Sequence, residues 1–235
     1  MITCHHDSLS YCKGVNMKTL AIISQKGGAG KTTLALNLAG AAESFGHRSV
    51  VIDLDPQASA KGWHDHRQKE TPIVISAQAS RLDDVLGTAR KHGADICIID
   101  TAPHSETAAL AAARAADLIL IPCRAGILDL RGISSSVDLV QIAKRPALVV
   151  LNAVPPRGGL PDQAAQAIRP YGVRVASARI TQRAVFNHSL TAGQTAVEFE
   201  PEGVAAEEVR SLYRLACKEA GMITRNNHTK EGKGT

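Results

Sequence analysis

The chain alternates short aliphatic runs with longer stretches whose apolar positions return every three or four residues. Residues 19–24, 50–54, 73–76, 96–100, 118–122, 147–152 and 173–175 are rich in Val, Ile, Leu and Ala. Unbroken apolar runs of that length are what strands buried on both faces of a parallel sheet look like. Helical spacing covers 32–45, 81–92, 133–143, 161–169 and 203–220, and an Ala-rich helix separates the strands at 96–100 and 118–122. Gly46 and Gly93 follow two of these helices as C-terminal stops. The order β-α-β-β-α-β-α-β-α-β-α-β-α predicts an α/β fold: a mostly parallel twisted sheet with helices on both faces, in three α/β/α layers.

This pattern starts just after Met17. Residues 1–16 have no periodicity and are expected to be a disordered extension, with Met17 the natural start. Cys4, His5, His6 and Cys12 are therefore not expected to hold a metal. One domain is expected over 17–221, followed by a polar, flexible tail over 222–235.

Composition supports this layering. Of 235 residues, 44% are hydrophobic but only 3% aromatic, so small aliphatic side chains must fill the core. The 5 cysteines form no CxxC pair, which argues against a disulfide framework or zinc site and suits a reducing cytoplasm. No apolar stretch reaches the roughly 18–20 residues that span a bilayer, and no secretory leader is visible. The net charge of +5 is a mild pointer to a polyanionic partner. Arginines 157, 169, 174, 179 and 183 face the single acid Asp162 over that stretch. Arg210, Arg214 and Lys218 recur at spacings of four along one helical face. Arg179, Arg183, Arg210, Arg214 and Lys218 are therefore the candidates for contacting DNA phosphates.

The chemistry is concentrated in Lys26-Gly27-Gly28-Ala29-Gly30-Lys31-Thr32-Thr33. The loop leaves an apolar strand and opens a helix. Its glycines let backbone N–H groups surround phosphate oxygens, and the helix N-terminus adds its dipole. Lys31 can reach the β- and γ-phosphates, and the Thr32 hydroxyl can ligate Mg²⁺. The common G-x-x-x-x-G-K-[ST] pattern is broken by Gln25 at its first glycine position, and a second lysine, Lys26, stands inside the loop. Two further strands end in acids, at Asp53-Leu54-Asp55-Pro56-Gln57 and at Asp100-Thr101-Ala102-Pro103. Carboxylates at the C-terminal ends of parallel strands beside such a loop can hold Mg²⁺.

KGGAGKTT, DLDPQ and DTAPH, in that order and spacing, resemble the ParA/MinD group of deviant-Walker ATPases over residues 17 to about 221. The length, and the stretch 180–186 with Gly193, are similar to the small ParA subclass without an N-terminal DNA-reading domain. The resemblance implies ATP and Mg²⁺ as cofactors. Gly27, Gly28, Ala29, Gly30, Lys31, Thr32 and Thr33 cradle the phosphates, and Thr32, Asp53 and Asp100 form the magnesium shell. Asp55 orients the attacking water, and Asn152 contacts adenine. Lys26 reaches across a nucleotide-sandwich homodimer to the partner's ATP. Also implied are weak, stimulated ATP hydrolysis, binding to non-specific DNA, a ParB-like partner and a cytoplasmic, nucleoid-associated location. The implied role is segregating plasmid or chromosomal DNA; positioning a non-DNA cargo or assisting DNA processing is the alternative.

Other branches of the same ancestry fit less well. A MinD-like membrane regulator needs a terminal amphipathic helix, and only Met222 and Ile223 could anchor the tail. A nitrogenase-type iron protein needs cysteines that bridge an iron–sulfur cluster at the dimer axis, whereas Cys97, inside an apolar strand, and Cys123, alone after Pro122, read as core. A tyrosine kinase needs a terminal tyrosine cluster, and the tyrosines are Tyr11, Tyr171 and Tyr213.

Overall fold

In a computed structural model of the chain, residues 17–126, 129 and 132–222 are described. The expected extension at 1–16 and all of the tail beyond Met222 lie outside them. Seven strands form one sheet: β1 (Lys18–Ile22), β2 (Ser49–Asp53), β3 (Ile73–Ser76), β4 (Ile96–Asp100), β5 (Leu118–Cys123), β6 (Ala147–Leu151) and β7 (Arg174–Val175). Their spatial order is β3-β2-β4-β1-β5-β6-β7, and every pairing among them is parallel. The expected α/β fold is thus the observed one.

Helices α1 (Lys31–Ser44), α2 (Ser59–His66), α3 (Leu82–Lys91), α4 (Glu106–Ala115), α5 (Ser134–Ala143), α6 (Leu160–Ile168), α7 (Ala184–Thr191), α8 (Ala196–Phe199) and α9 (Val204–Glu219) cover the sheet. Side chains alternate across each strand, so the core divides in two. Leu20, Ile22, Ile96, Ile98, Leu118 and Leu120 face a layer containing α1, α8 and α9. Ala21, Ile23, Cys97, Ile99, Ile119 and Ile121 face α3, α4, α5 and α6. With so few aromatics, α4 closes on the sheet through Ala108, Ala109, Ala112 and Ala113. Two aromatics do enter the core among the described residues, Phe186 and Tyr213; Tyr213 is fully buried, and its hydroxyl lies 2.7 Å from His47 Nδ1. Met222 packs into the first core half, so burial reaches the first residue of the expected tail.

The structure corrects the expected element order by placing α2 between β2 and β3. Its sequence carries no apolar stripe, and Ala60 is its one buried residue. No side chain at its N-cap residue Ala58 caps it. Instead the Asp53 carboxylate, at the end of β2, accepts from the Ala60 and Lys61 amides at 2.9 and 3.1 Å. A tertiary carboxylate supplies the capping that local sequence lacks. Helices α7 and α8 are further additions to the expected order. For α8 the sequence does carry a signal: Thr195 and Glu198 form a capping box, the T-x-x-E pattern.

Candidate functional site

Ile22, Asp53 and Asp100 are the last residues of β1, β2 and β4, and they stand side by side in register. The strand order reverses around β1, which opens the crevice that parallel sheets use for ligands. The segment after β1 turns through Gly28 (φ 73°) and Gly30 (φ 89°) into α1. A Cβ on Gly30 would also lie 2.3 Å from Asn152 Nδ2, so a side chain there would have to displace Asn152.

Each predicted phosphate-site residue can be located. The Lys31 side chain folds back over the loop, its ammonium donating to the Lys26 carbonyl at 3.4 Å, and the residue is 7% exposed. Burial lowers its pKa, while the nearby Asp100 and Asp55 carboxylates work against that shift. The Thr32 hydroxyl donates to Asp100 Oδ2 at 2.6 Å. Asp100 Oδ1 is buried with no hydrogen-bond partner. Burial pushes the Asp100 carboxyl up to about 7, with Asp53 and Asp55 adding repulsion against the Thr32 hydrogen bond and Lys31.

An orphaned carboxylate oxygen next to a threonine hydroxyl is a donor set with room for a hard cation. Among the described residues no three His, Cys, Asp or Glu side chains group closely enough to hold an ion alone. Mg²⁺ does not require that, because it keeps waters and takes substrate phosphate oxygens. The residues present fit Mg²⁺ bound together with a nucleoside triphosphate.

Three expected residues have partners that the sequence did not indicate. Asp53 is fully buried, and its Oδ1 accepts from the Asp55 amide at 3.0 Å while Oδ2 caps α2. Burial raises its pKa, opposed by the Lys61, Asp55 and Ala60 amides. It thereby shapes the segment carrying Asp55, which accepts from the Gln57 amide at 2.9 Å. Asn152, implied to contact adenine, donates its amide to the Ala29 carbonyl at 2.7 Å and braces the phosphate loop. Lys26 pairs with Asp129, 2.7 Å away on its own chain. After β4, His104 takes a left-handed conformation (φ 56°) in the turn that follows Asp100.

The five arginine and lysine candidates do not form one bank of free cations. Arg183 pairs with Glu208 at 2.9 Å and Arg179 with Asp162 at 2.5 Å. Arg214 pairs with Glu207 on its own helix, and Arg210 donates to the Pro201 carbonyl at 2.6 Å. Lys218 is exposed one turn beyond Arg214. Glu207 and Glu208 lie on the same helix as the α9 cations, and the structure decides which cation each of them meets.

The CbiA family, described as the CobQ/CobB/MinD/ParA nucleotide binding domain, matches residues 20–196. The chain belongs to this nucleotide-binding family. Its relatives include two proteins named "Maintenance of carboxysome distribution protein A". The one from Halothiobacillus neapolitanus is 27% identical over 83% of this chain and 94% of its own length. The one from Gloeobacter kilaueensis is 30% identical over 86% and 93%. The chromosome partitioning protein ParA of Caulobacter vibrioides is 25% identical over 84% and 93%. Among solved structures, the ATP complex of a Cyanothece McdA variant shares the fold with a TM-score of 0.72 at 20% identity, covering 90% of this chain and 99% of that one. Pyrococcus horikoshii MinD, a Mg-ADP complex, does so with a TM-score of 0.72 at 20% identity, covering 88% and 98%. The cofactors expected from the motifs, ATP and Mg²⁺, match the nucleotides and metal with which these ParA- and MinD-type neighbours were solved. None of the described helices is long and apolar enough to cross a membrane.

Proposed function

We propose that this protein is an ATP-dependent dimerising ATPase that positions a cargo along non-specific DNA. The observation that carries this reading is a phosphate loop with two lysines, opening on the crevice that holds Asp55 and Asp100. Phosphoryl transfer is catalysed chiefly by positioning and charge neutralisation. Mg²⁺ held with ATP at Thr32 and Asp100 would supply charge neutralisation at the reacting phosphate. Lys31 and the loop amides hold the phosphates, while Thr32 and Asp100 supply oxygen to the metal. Asp53 acts one step back by fixing the segment that bears Asp55, and Asp55 orients the attacking water. Asn152 keeps the loop in its receptive shape.

Lys26 makes the reaction depend on a second copy. A lysine donated across a homodimer couples nucleotide state to association, so hydrolysis ends the association. A ParB-like or other adaptor on the cargo would accelerate that step, and release from DNA would follow. Arg210 and Lys218 are the cations least occupied by carboxylates of the chain itself, and they lead the proposed DNA contacts. Arg179, Arg183 and Arg214 would have to exchange their acids for phosphates.

Two cargo classes fit this chemistry. One is plasmid or chromosomal DNA, as the partitioning relatives suggest. The other is a protein body, and the similarity to two carboxysome-distribution proteins over most of their length favours it. Light scattering with ATP should show dimers that Lys31→Ala abolishes. Retention on DNA should weaken steeply with salt. Robust hydrolysis by monomers without DNA would contradict the reading.

A further inference from the structure

Arg67 closes the C-terminal end of α2, and its side chain is completely enclosed. Its Nη2 donates to Glu198 Oε1 at 2.8 Å and its Nε to the Lys69 carbonyl at 3.0 Å. The guanidinium lies 4.4 Å over the Trp63 ring. Gly193, left-handed at φ 68°, is pressed so close that a Cβ there would meet Arg67 Cα at 3.0 Å. This is the glycine that marked the small-ParA resemblance.

The pair belongs to a circuit that begins and ends at the nucleotide site. Glu198 Oε2 accepts from the Thr195 amide at 2.8 Å, capping α8. The α8 amide of Ala196 donates to Asn37 Oδ1 at 2.8 Å, and Asn37 Nδ2 donates to the carbonyl of Thr33, in the phosphate loop. From Arg67 in the other direction, α2 leads back to its N-terminus, which Asp53 holds, and Asp53 holds the Asp55 amide. Phosphate loop and water-orienting segment are therefore joined twice: directly across the sheet, and around the outside through Arg67 and Glu198.

The contact is not the cheapest way to pack these helices. Arg67 Nη1 and Trp63 Nε1 are buried without hydrogen-bond partners, and leaving donors unpaired is unfavourable. An apolar pair would serve stability as well or better. What an ion pair adds is direction and register. Burial alone would raise the Glu198 carboxyl, but the Thr195 amide, Arg67 and Lys69 outweigh it and hold it below the usual range.

We propose that Arg67 and Glu198 are positioning residues that set Asp55 against the phosphate loop. This rests on the reading of Asp55 as the water-orienting group. Glu198→Gln keeps the oxygen that caps α8 and leaves the guanidinium on Trp63, the single tryptophan of the chain. The expected result is binding of a fluorescent ATP analogue within about twofold of wild type and turnover lower by about tenfold, since small misplacements at a reacting centre are costly. Wild-type Trp63 emission should change on adding ATP, and in Glu198→Gln that change should be lost. Arg67→Lys should retain part of the turnover, and Arg67→Met/Glu198→Gln should lose no more than either single variant. Wild-type turnover in Glu198→Gln, or losses that multiply, would overturn the proposal. If the wild type does not hydrolyse ATP, the ATPase reading fails and Trp63 decides alone. Emission indifferent to ATP in the wild type, or equally responsive in Glu198→Gln, then overturns the positioning role.

Discussion

The ammonium of Lys26 lies 2.7 Å from Asp129 Oδ1 of the same chain. The lysine that distinguishes this phosphate loop from the common pattern is therefore held in cis. A trans role requires that contact to open first. The loop around it is braced in the same direction, with the Gln25 amide donating to the Ser136 hydroxyl at 3.3 Å.

Asp129→Asn should therefore promote dimerisation with ATP, while Lys26→Ala should abolish it. The pair is partly solvent-exposed, so the gain is modest, about 0.2–1 kcal/mol or up to roughly fivefold in dimer affinity. Light scattering across a protein titration with ATP reads both. Weaker dimers from Asp129→Asn would mean that the acid supports the trans state instead.

The Asp100 carboxyl, pushed up to about 7 by its burial, ties stability to pH. Its folded pKa lies above its unfolded value, so the native chain holds a proton that the unfolded chain releases from about pH 4 upward. The protein without nucleotide should lose stability as pH rises from about 4 to 7, by roughly 1 kcal/mol per unit from this group. Asp100→Asn should flatten that part of the Tm–pH curve. Magnesium needs the carboxylate, so its affinity should fall as pH drops below about 7. An unchanged curve in Asp100→Asn would remove the group from the account.

Glycines inside helices separate cleanly by what surrounds them. A Cβ on Gly40, in α1, would stand 2.3 Å from Thr195 Oγ1, whereas one on Gly87, in α3, would meet nothing within 4 Å. Gly87→Ala should stabilise by about 0.5–1 kcal/mol through helix propensity. Gly40→Ala should destabilise by about 1–3 kcal/mol despite the same propensity gain, because overpacking wins. Thermal melts of the two variants should move in opposite directions.

Asn152→Ala removes the hydrogen bond to the Ala29 carbonyl. A buried acceptor left unpaired costs about 1–3 kcal/mol, here within the phosphate loop itself. Nucleotide affinity should drop by about tenfold, with adenosine and guanosine triphosphates affected alike. Loss confined to the adenine nucleotide would instead support the base-contact role that the resemblance implies.

The sequence by itself determined the strands, the helices with a clear stripe and the phosphate loop. Each of these is written in contiguous residues: aliphatic runs such as 96–100, a glycine-rich turn, acids at strand ends. It also placed Asp53 and Asp100 at the ends of their strands, and the register of β2 with β4 set them side by side. What it could not show is what each of these groups touches. Helix α2 depends on a carboxylate seven residues back that reaches it only after β2 has turned, so no local propensity records it. Acids stand near the basic residues in the sequence, but which acid meets which cation is set in space: Glu207 pairs with Arg214, Glu208 with Arg183 and Asp162 with Arg179. The second lysine of the loop could be read as a switch from its position alone. That the switch is held by Asp129 was decided by tertiary structure, because ion pairs depend on distance in space rather than separation along the chain.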